Sequence, residues 1–255
     1  MNYYKICLLT IGFSFVFSSC VSKKELLYLQ DIETYNNSEV TFSNSIIQEN
    51  DILKIDVTSL EMSASIPFNK ATATDNNANS LVLMQLNGYL VSTNKTINFP
   101  ILGEISVAEK SSQDLEKYLK NLLEAGGYLI NPRVTVRLLN SKVTILGEVN
   151  NPGTFTFTEK NITLLQALGL AGDLTIDGNR KNIILLRSFN GQRTTTNIDL
   201  TSASWLSSLY QNIQPNDIII VNPNSKKIKS AGLVGDISTV LSIASILLSS
   251  IILTR

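Results

Sequence analysis

Two aspartates stand in nearly matched settings, Glu49-Asn50-Asp51 and Pro215-Asn216-Asp217, and a pair of carboxylates is the equipment with which glycosidic bonds are hydrolysed. Both lie inside an internal echo, Ile47-Gln48-Glu49-Asn50-Asp51-Ile52 and Ile213-Gln214-Pro215-Asn216-Asp217-Ile218, in which each copy launches an apolar strand from an Asn-Asp turn. A turn role is therefore the stronger reading of Asn50, Asp51, Asn216 and Asp217, and no catalytic residue is assigned. Asparagine tolerates the left-handed backbone that a tight turn demands. The chain contains no histidine, which removes Ser/His/Asp and Cys/His nucleophile systems, a His-ligated zinc and a His general base. No metal or cofactor site is expected. Lys+Arg and Asp+Glu both number 21, and the lysines are scattered, so nothing offers nucleic acid an electrostatic footprint.

The other reactive group is the Cys20 thiol. Lys5 supplies a positive start, Ile6 to Phe17 forms an apolar run, and Ser18 and Ser19 precede the cysteine. Residues 1–19 thus read as a signal peptide, because the run falls short of the roughly 20 residues a bilayer span needs. Phe17-Ser18-Ser19-Cys20 resembles a bacterial lipobox, in which the thiol is acylated and the cysteine becomes the new N-terminus. Cys7 leaves with the signal, so the mature chain holds one thiol and no internal disulfide. The alternative is cleavage elsewhere with Cys20 as a free thiol. Val21-Ser22-Lys23-Lys24 carries no acidic run, which leaves the body expected in the periplasm, and the polar stretch 20–44 reads as a tether.

The elements that position these groups predict an α+β chain of two units, 45–140 and 141–225. Ile52 to Val57 alternates as a half-buried strand, and Asn69 to Ser80 reads as an exposed loop. Ser111 caps a helix whose Leu115, Leu119, Leu122 and Leu123 share one face with Tyr118, and Gly126-Gly127 stops it. Strands follow at Val134 to Leu138 and Lys142 to Val149. Thr163 with Gln166 forms a capping box for a helix that Gly172 ends. Further strands fall at 183–187, 195–200 and 218–221. A second echo, Ile101-Leu102-Gly103-Glu104-Ile105 against Ile145-Leu146-Gly147-Glu148-Val149, predicts a plan shared by the two units. Gly147, Pro152 and Gly153 are read as turn residues before anything else.

Residues 226–255 predict a helix long enough to cross a bilayer, with Asp236 as the one charge between Ala231 and Thr254. Ser238, Ser242, Ser245 and Ser249 fall within a polar stripe on it. Such a stripe can line an aqueous lumen or let neighbouring helices approach closely, and both uses need partner helices.

In order, the lipobox cysteine, the Asn50-Asp51 strand opening, Asn131-Pro132-Arg133-Val134-Thr135-Val136, Gly147-Glu148-Val149-Asn150-Asn151-Pro152-Gly153-Thr154-Phe155 and the terminal helix resemble the bacterial outer-membrane polysaccharide export family. Val143 to Phe155 with Leu164-Leu165-Gln166-Ala167-Leu168 and Ala171-Gly172 looks like its soluble-ligand-binding (SLBB) β-grasp domain, and residues 45–140 look like the polysaccharide export domain. Where the family commonly shows Pro-Gly-Asp, this chain has Glu49-Asn50-Asp51 and Pro215-Asn216-Asp217. The resemblance implies a homo-oligomeric ring, an octamer in number, anchored in the outer membrane by Cys20, with its body in the periplasm and its terminal helices spanning the membrane as a barrel. It also implies a polysaccharide cargo, contact with outer-membrane lipid and an inner-membrane copolymerase as partner. The alternative from another class is a lipid-anchored periplasmic binding or scaffold module without a pore. Tyr128, Trp205 and Tyr210 can stack on sugar rings, although a lone tryptophan beside Leu206 and Leu209 suits a core or an interface better.

Overall fold

The computed structural model describes residues 23–35, 44–70, 81–189 and 191–230, together with the helical positions 241, 242, 245, 246 and 249. Cys20, the 71–80 part of the expected loop, and Ser238 lie outside the described residues.

Two hydrophobic clusters organise the chain. The first forms on strand β1 (Ile52–Thr58), whose inward Leu53, Ile55 and Val57 alternate with outward Lys54 and Asp56, the period of two expected of a sheet with one dry face. β1 pairs antiparallel with β2 (Tyr89–Leu90) on one side and β5 (Arg133–Leu138) on the other. A separate hairpin, β3 (Thr96–Phe99) with β4 (Gly103–Ser106), adds Ile97, Phe99 and Ile105.

The helix Ser112–Ala125 closes this core with Leu115, Leu119 and Leu123, all fully buried. Their spacing of four keeps them on one face, and each contributes about 1.5–3 kcal/mol. Its start is fixed by a capping box: the Asp114 N–H donates to Ser111 Oγ at 3.2 Å, and the Ser111 N–H donates to Asp114 Oδ2 at 3.1 Å. It ends at Gly126, and Gly127 takes the left-handed φ of 69°.

The second cluster lies on a five-stranded mixed sheet in the order β10-β9-β12-β6-β7. The strands are β6 (Lys142–Gly147), β7 (Gly153–Thr156), β9 (Gly178–Phe189), β10 (Gln192–Ile198) and β12 (Ile218–Pro223). Only β12 and β6 run parallel. A two-stranded pair, β8 (Ile162–Thr163) with β11 (Asn212–Ile213), leads into the helix Leu164–Leu170, which carries the Thr163/Gln166 capping box. Leu164, Ala167 and Leu168 from that helix meet Val143, Ile145, Ile183, Leu185, Ile219 and Val221 from the sheet. Trp205 is also in this core, 6% exposed, with Tyr210 packed against it.

Two expectations need correction. The shared plan inferred from the Ile-Leu-Gly-Glu echo does not hold, because Gly103 opens β4 after the turn at Ile101 (φ 66°), whereas Gly147 closes β6. A five-residue match between strand-like segments did not fix where in a strand each copy falls.

The tether is the second correction. Residues 23–35 lie against the second unit, where the Leu29 and Gln30 N–H groups donate to the Leu200 and Thr201 carbonyls at 3.0 and 2.7 Å. Asp31 accepts from Ser202 Oγ at 2.8 Å and from the Ala203 N–H at 2.5 Å. Tyr28 Oη donates to Asp173 Oδ1 at 2.5 Å, and the Arg180 guanidinium lies over its ring, 5.5 Å from the centroid. The composition of this strap resembles a polar linker; its partners are more than a hundred residues away in sequence, where local patterns carry no trace of them.

Candidate functional site

The two Asn-Asp echoes fold into the same turn. In the first, the Asp51 N–H donates to the Gln48 carbonyl at 3.2 Å, Asn50 takes φ 65°, and Asp51 Oδ2 accepts from the Gln48 N–H at 2.8 Å. The second repeats each feature: Asp217 N–H to Gln214 carbonyl at 3.1 Å, Asn216 at φ 68°, and the Gln214 N–H to Asp217 Oδ2 at 2.8 Å. Positive φ at the third position with closure from fourth to first is the geometry of a type II turn, for which Pro215 is well placed at the second position.

The linker between the units runs from one turn to the other. Asn140 accepts from the Ile52 N–H at 2.9 Å and donates to the Asn50 carbonyl at 2.9 Å. Just beyond it, the Lys142 carbonyl accepts from the Asn216 N–H at 2.7 Å. Each end of the linker is thus fixed to the turn of its own unit, and a cleft of about 240 Å³ opens there, lined by both Asp51 and Pro215.

The twin aspartates differ in their partners. Asp217, 1% exposed, receives the Arg187 guanidinium in a fork, Nε to Oδ1 at 3.0 Å and Nη2 to Oδ2 at 2.7 Å. Burial raises its proton affinity and Arg187 opposes that rise. Asp51, 3% exposed, has no cation within ion-pair distance among the described residues, and burial pushes its carboxyl up to about 6 against the pull of the Gln48 amide. With both of its oxygens engaged, Asp217 offers no free carboxyl to a glycosidase pair. Nothing in the sequence pointed to Arg187, which lies on β9, 30 residues from its partner.

Gly147 ends β6 at φ 91°, and a Cβ there would stand 2.1 Å from the Val221 carbonyl oxygen, so only glycine fits. The loop that follows, through Asn150 to Pro152, is held by Asn150 N–H to the Asp173 carbonyl at 3.0 Å and Asn151 N–H to the Ala171 carbonyl at 2.8 Å, and Gly153 opens β7. These residues serve the backbone. Tyr128 meets Phe68 edge-on and Tyr210 lies under Arg187, so the three aromatics form no common platform.

Ser242, Ser245 and Ser249 are helical and exposed; Ser245 Oγ donates to the Leu241 carbonyl and Ser249 Oγ to the Ser245 carbonyl, both at 2.8 Å. Among the described residues no helix is long and apolar enough to cross a membrane, and no group of three His, Cys, Asp or Glu side chains could hold a metal ion.

The described residues thus form a three-stranded sheet under a long helix, followed by a mixed sheet packed on a short one. Residues 40–139 match the family model for polysaccharide biosynthesis/export proteins, and residues 141–221 match that for the SLBB domain. The chain belongs to the polysaccharide export family, which is not a family of enzymes. It is similar to the EPS I polysaccharide export outer membrane protein EpsA of Ralstonia nicotianae, 30% identical over 139 residues, which cover 53% of this chain and 34% of that protein. It is 28% identical over 140 residues to the protein of the same name in Ralstonia solanacearum, covering 52% and 33%. The match therefore spans about a third of the length of these relatives.

Proposed function

We propose that this chain is a subunit of an outer-membrane device that exports a capsular or extracellular polysaccharide. The observation that carries the reading is the order of the two units, each matching its own family model with a junction at Asn140. Relatives named as polysaccharide export outer membrane proteins support it. In this reading Cys20 is acylated and anchors the chain, the units at 45–140 and 141–225 stack in the periplasm as a homo-oligomeric ring, and residues 226–255 cross the outer membrane. The polymer passes without covalent chemistry, handed on by an inner-membrane copolymerase. The Ser245 and Ser249 hydroxyls, bonded back to their own helix, keep acceptor lone pairs for water, which suits a wetted stripe facing a bulky polymer.

The test is the oligomer mass and negative-stain projection of the mature protein in mild detergent, with and without residues 228–255. A ring with a central opening that loses its membrane-embedded part on truncation is the expected result. A monomer in both forms would refute the channel and leave a lipid-anchored binding module.

A further inference from the structure

We propose that the loop 173–178, with the two chain segments bound to it, forms a lipid-contact surface on which the second unit rests against the anionic headgroups of a bilayer. The seat of the strap carries the argument. The Tyr28 hydroxyl donates to Asp173, the Leu29 N–H to the Leu200 carbonyl, and the Leu200 N–H to the Arg180 carbonyl, so the strap crosses the sheet where β9 begins. The turn Lys23–Glu25 also packs against β9. The chain that follows β12 leaves from the same loop. The Asn224 N–H donates to the Asp177 carbonyl at 2.7 Å, Asn224 Nδ2 donates to the Ile176 carbonyl at 3.1 Å, and the Lys227 ammonium pairs with Asp177 at 3.2 Å.

Both departures are short. Cys20 stands three residues before Lys23, a span of at most about 10–11 Å, and the run from Ala231 to Thr254, with Asp236 its one charge, follows Ser230 directly. This inference rests on the export reading, in which Cys20 is acylated and the terminal segment crosses the membrane. Because the strap is seated rather than free, those two attachments leave the second unit little room to stand off a bilayer whose headgroup layer is about 5–7 Å deep on each side. The surface has the matching chemistry. Leu27, Ile176 and Ile228 are 54%, 69% and 61% exposed, one on each of the three segments that meet there. Lys24, Lys226 and Lys229 are exposed and pair with no carboxylate among the described residues. Of the acidic groups at this end, Asp173 is engaged by Tyr28 and Asp177 by Lys227, which leaves exposed Glu25 against the three lysines. Apolar side chains interspersed with lysines suit an anionic headgroup layer, where the apolar parts are buried and the ammonium groups stay at the phosphates.

The test places a nitrobenzoxadiazole fluorophore on Ile176→Cys in the full-length mature protein. The protein is reconstituted into vesicles of phosphatidylcholine, alone or mixed two to one with phosphatidylglycerol, each carrying a lipid spin-labelled at its headgroup as quencher. Leu60→Cys, at a position 91% exposed on the first unit, is the control. The label at 176 should be quenched about threefold more strongly in the anionic vesicles than in the neutral ones, and the label at 60 in neither. Lys226→Glu with Lys229→Glu should abolish the preference for anionic lipid. Equal quenching at 176 and 60, quenching at 176 that ignores lipid charge, or an emission shift already complete in detergent, the mark of a neighbouring protein copy, would overturn the proposal. A wild-type chain that takes up the fluorophore, its Cys20 thiol being unacylated, or that fails to float with the vesicles refutes the anchoring reading and this inference with it. A chain that floats unlabelled while the 176 label stays unquenched refutes this inference alone.

Discussion

Asp51→Asn and Asp217→Asn should shift stability in opposite directions at pH 7.5. Both carboxylates are buried, and both accept an N–H from three residues earlier that an asparagine carbonyl can still accept. Asp51 holds its proton up to about pH 6, against 3.8 for an unburied aspartate, so the folded state binds that proton more tightly than the unfolded chain does. At about 1.4 kcal/mol per tenfold change in affinity, ionising it costs the fold about 3 kcal/mol above pH 6 and nothing below pH 4. Stability on this group's account therefore falls as pH rises from 4 to 6 and is level beyond. Asparagine removes that cost and gives up about 1 kcal/mol of charge-assisted hydrogen bonding, a net gain of about 1–2 kcal/mol at pH 7.5, or about 3–6 °C in Tm. Asp217→Asn instead leaves Arg187, its side chain 11% exposed, without its carboxylate, a loss of about 3–5 kcal/mol. Thermal unfolding followed by circular dichroism from pH 4 to 8 measures both. If Asp51→Asn destabilises as much as Asp217→Asn, or its gain does not vary with pH, the carboxylate is not uncompensated and the reasoning fails.

Gly147→Ala should cost about 2–4 kcal/mol by urea denaturation, because the new methyl meets the Val221 carbonyl at a φ of 91°. Asp31→Ala removes two bonds to the Ser202–Ala203 segment, and amide hydrogen exchange over residues 23–35 should speed up at least tenfold while the five-stranded sheet stays protected. Cys20→Ser should release the protein from the outer-membrane fraction; unchanged fractionation would count against acylation.

Where the determinants are local, the sequence was a good guide. The Ser111 cap and the Thr163/Gln166 capping box are read directly from the sequence, and the Asn-Asp echo recurs as one turn because its geometry is decided within four residues. Short and non-local pairings were not legible: β2, β8 and β11 have two residues each and exist only because a distant strand borders them. The same limit hid Arg187. The strap was misread as a linker because its polar composition is real, and its few anchoring residues, Tyr28, Leu29 and Asp31, are spaced without a period.

The strap also sets an order of events. Residues 23–35 emerge from the ribosome before any other part of the described chain, yet their seat at Leu200–Ala203 is made some 171 residues later. This early segment thus waits for its place, and it can take it only once Leu200–Ala203 has been made. A chain cut short anywhere before Leu200 has no seat for it, and its N-terminal segment stays open to proteases. Closure of the strap is in that sense a receipt for a chain made at least as far as Ala203.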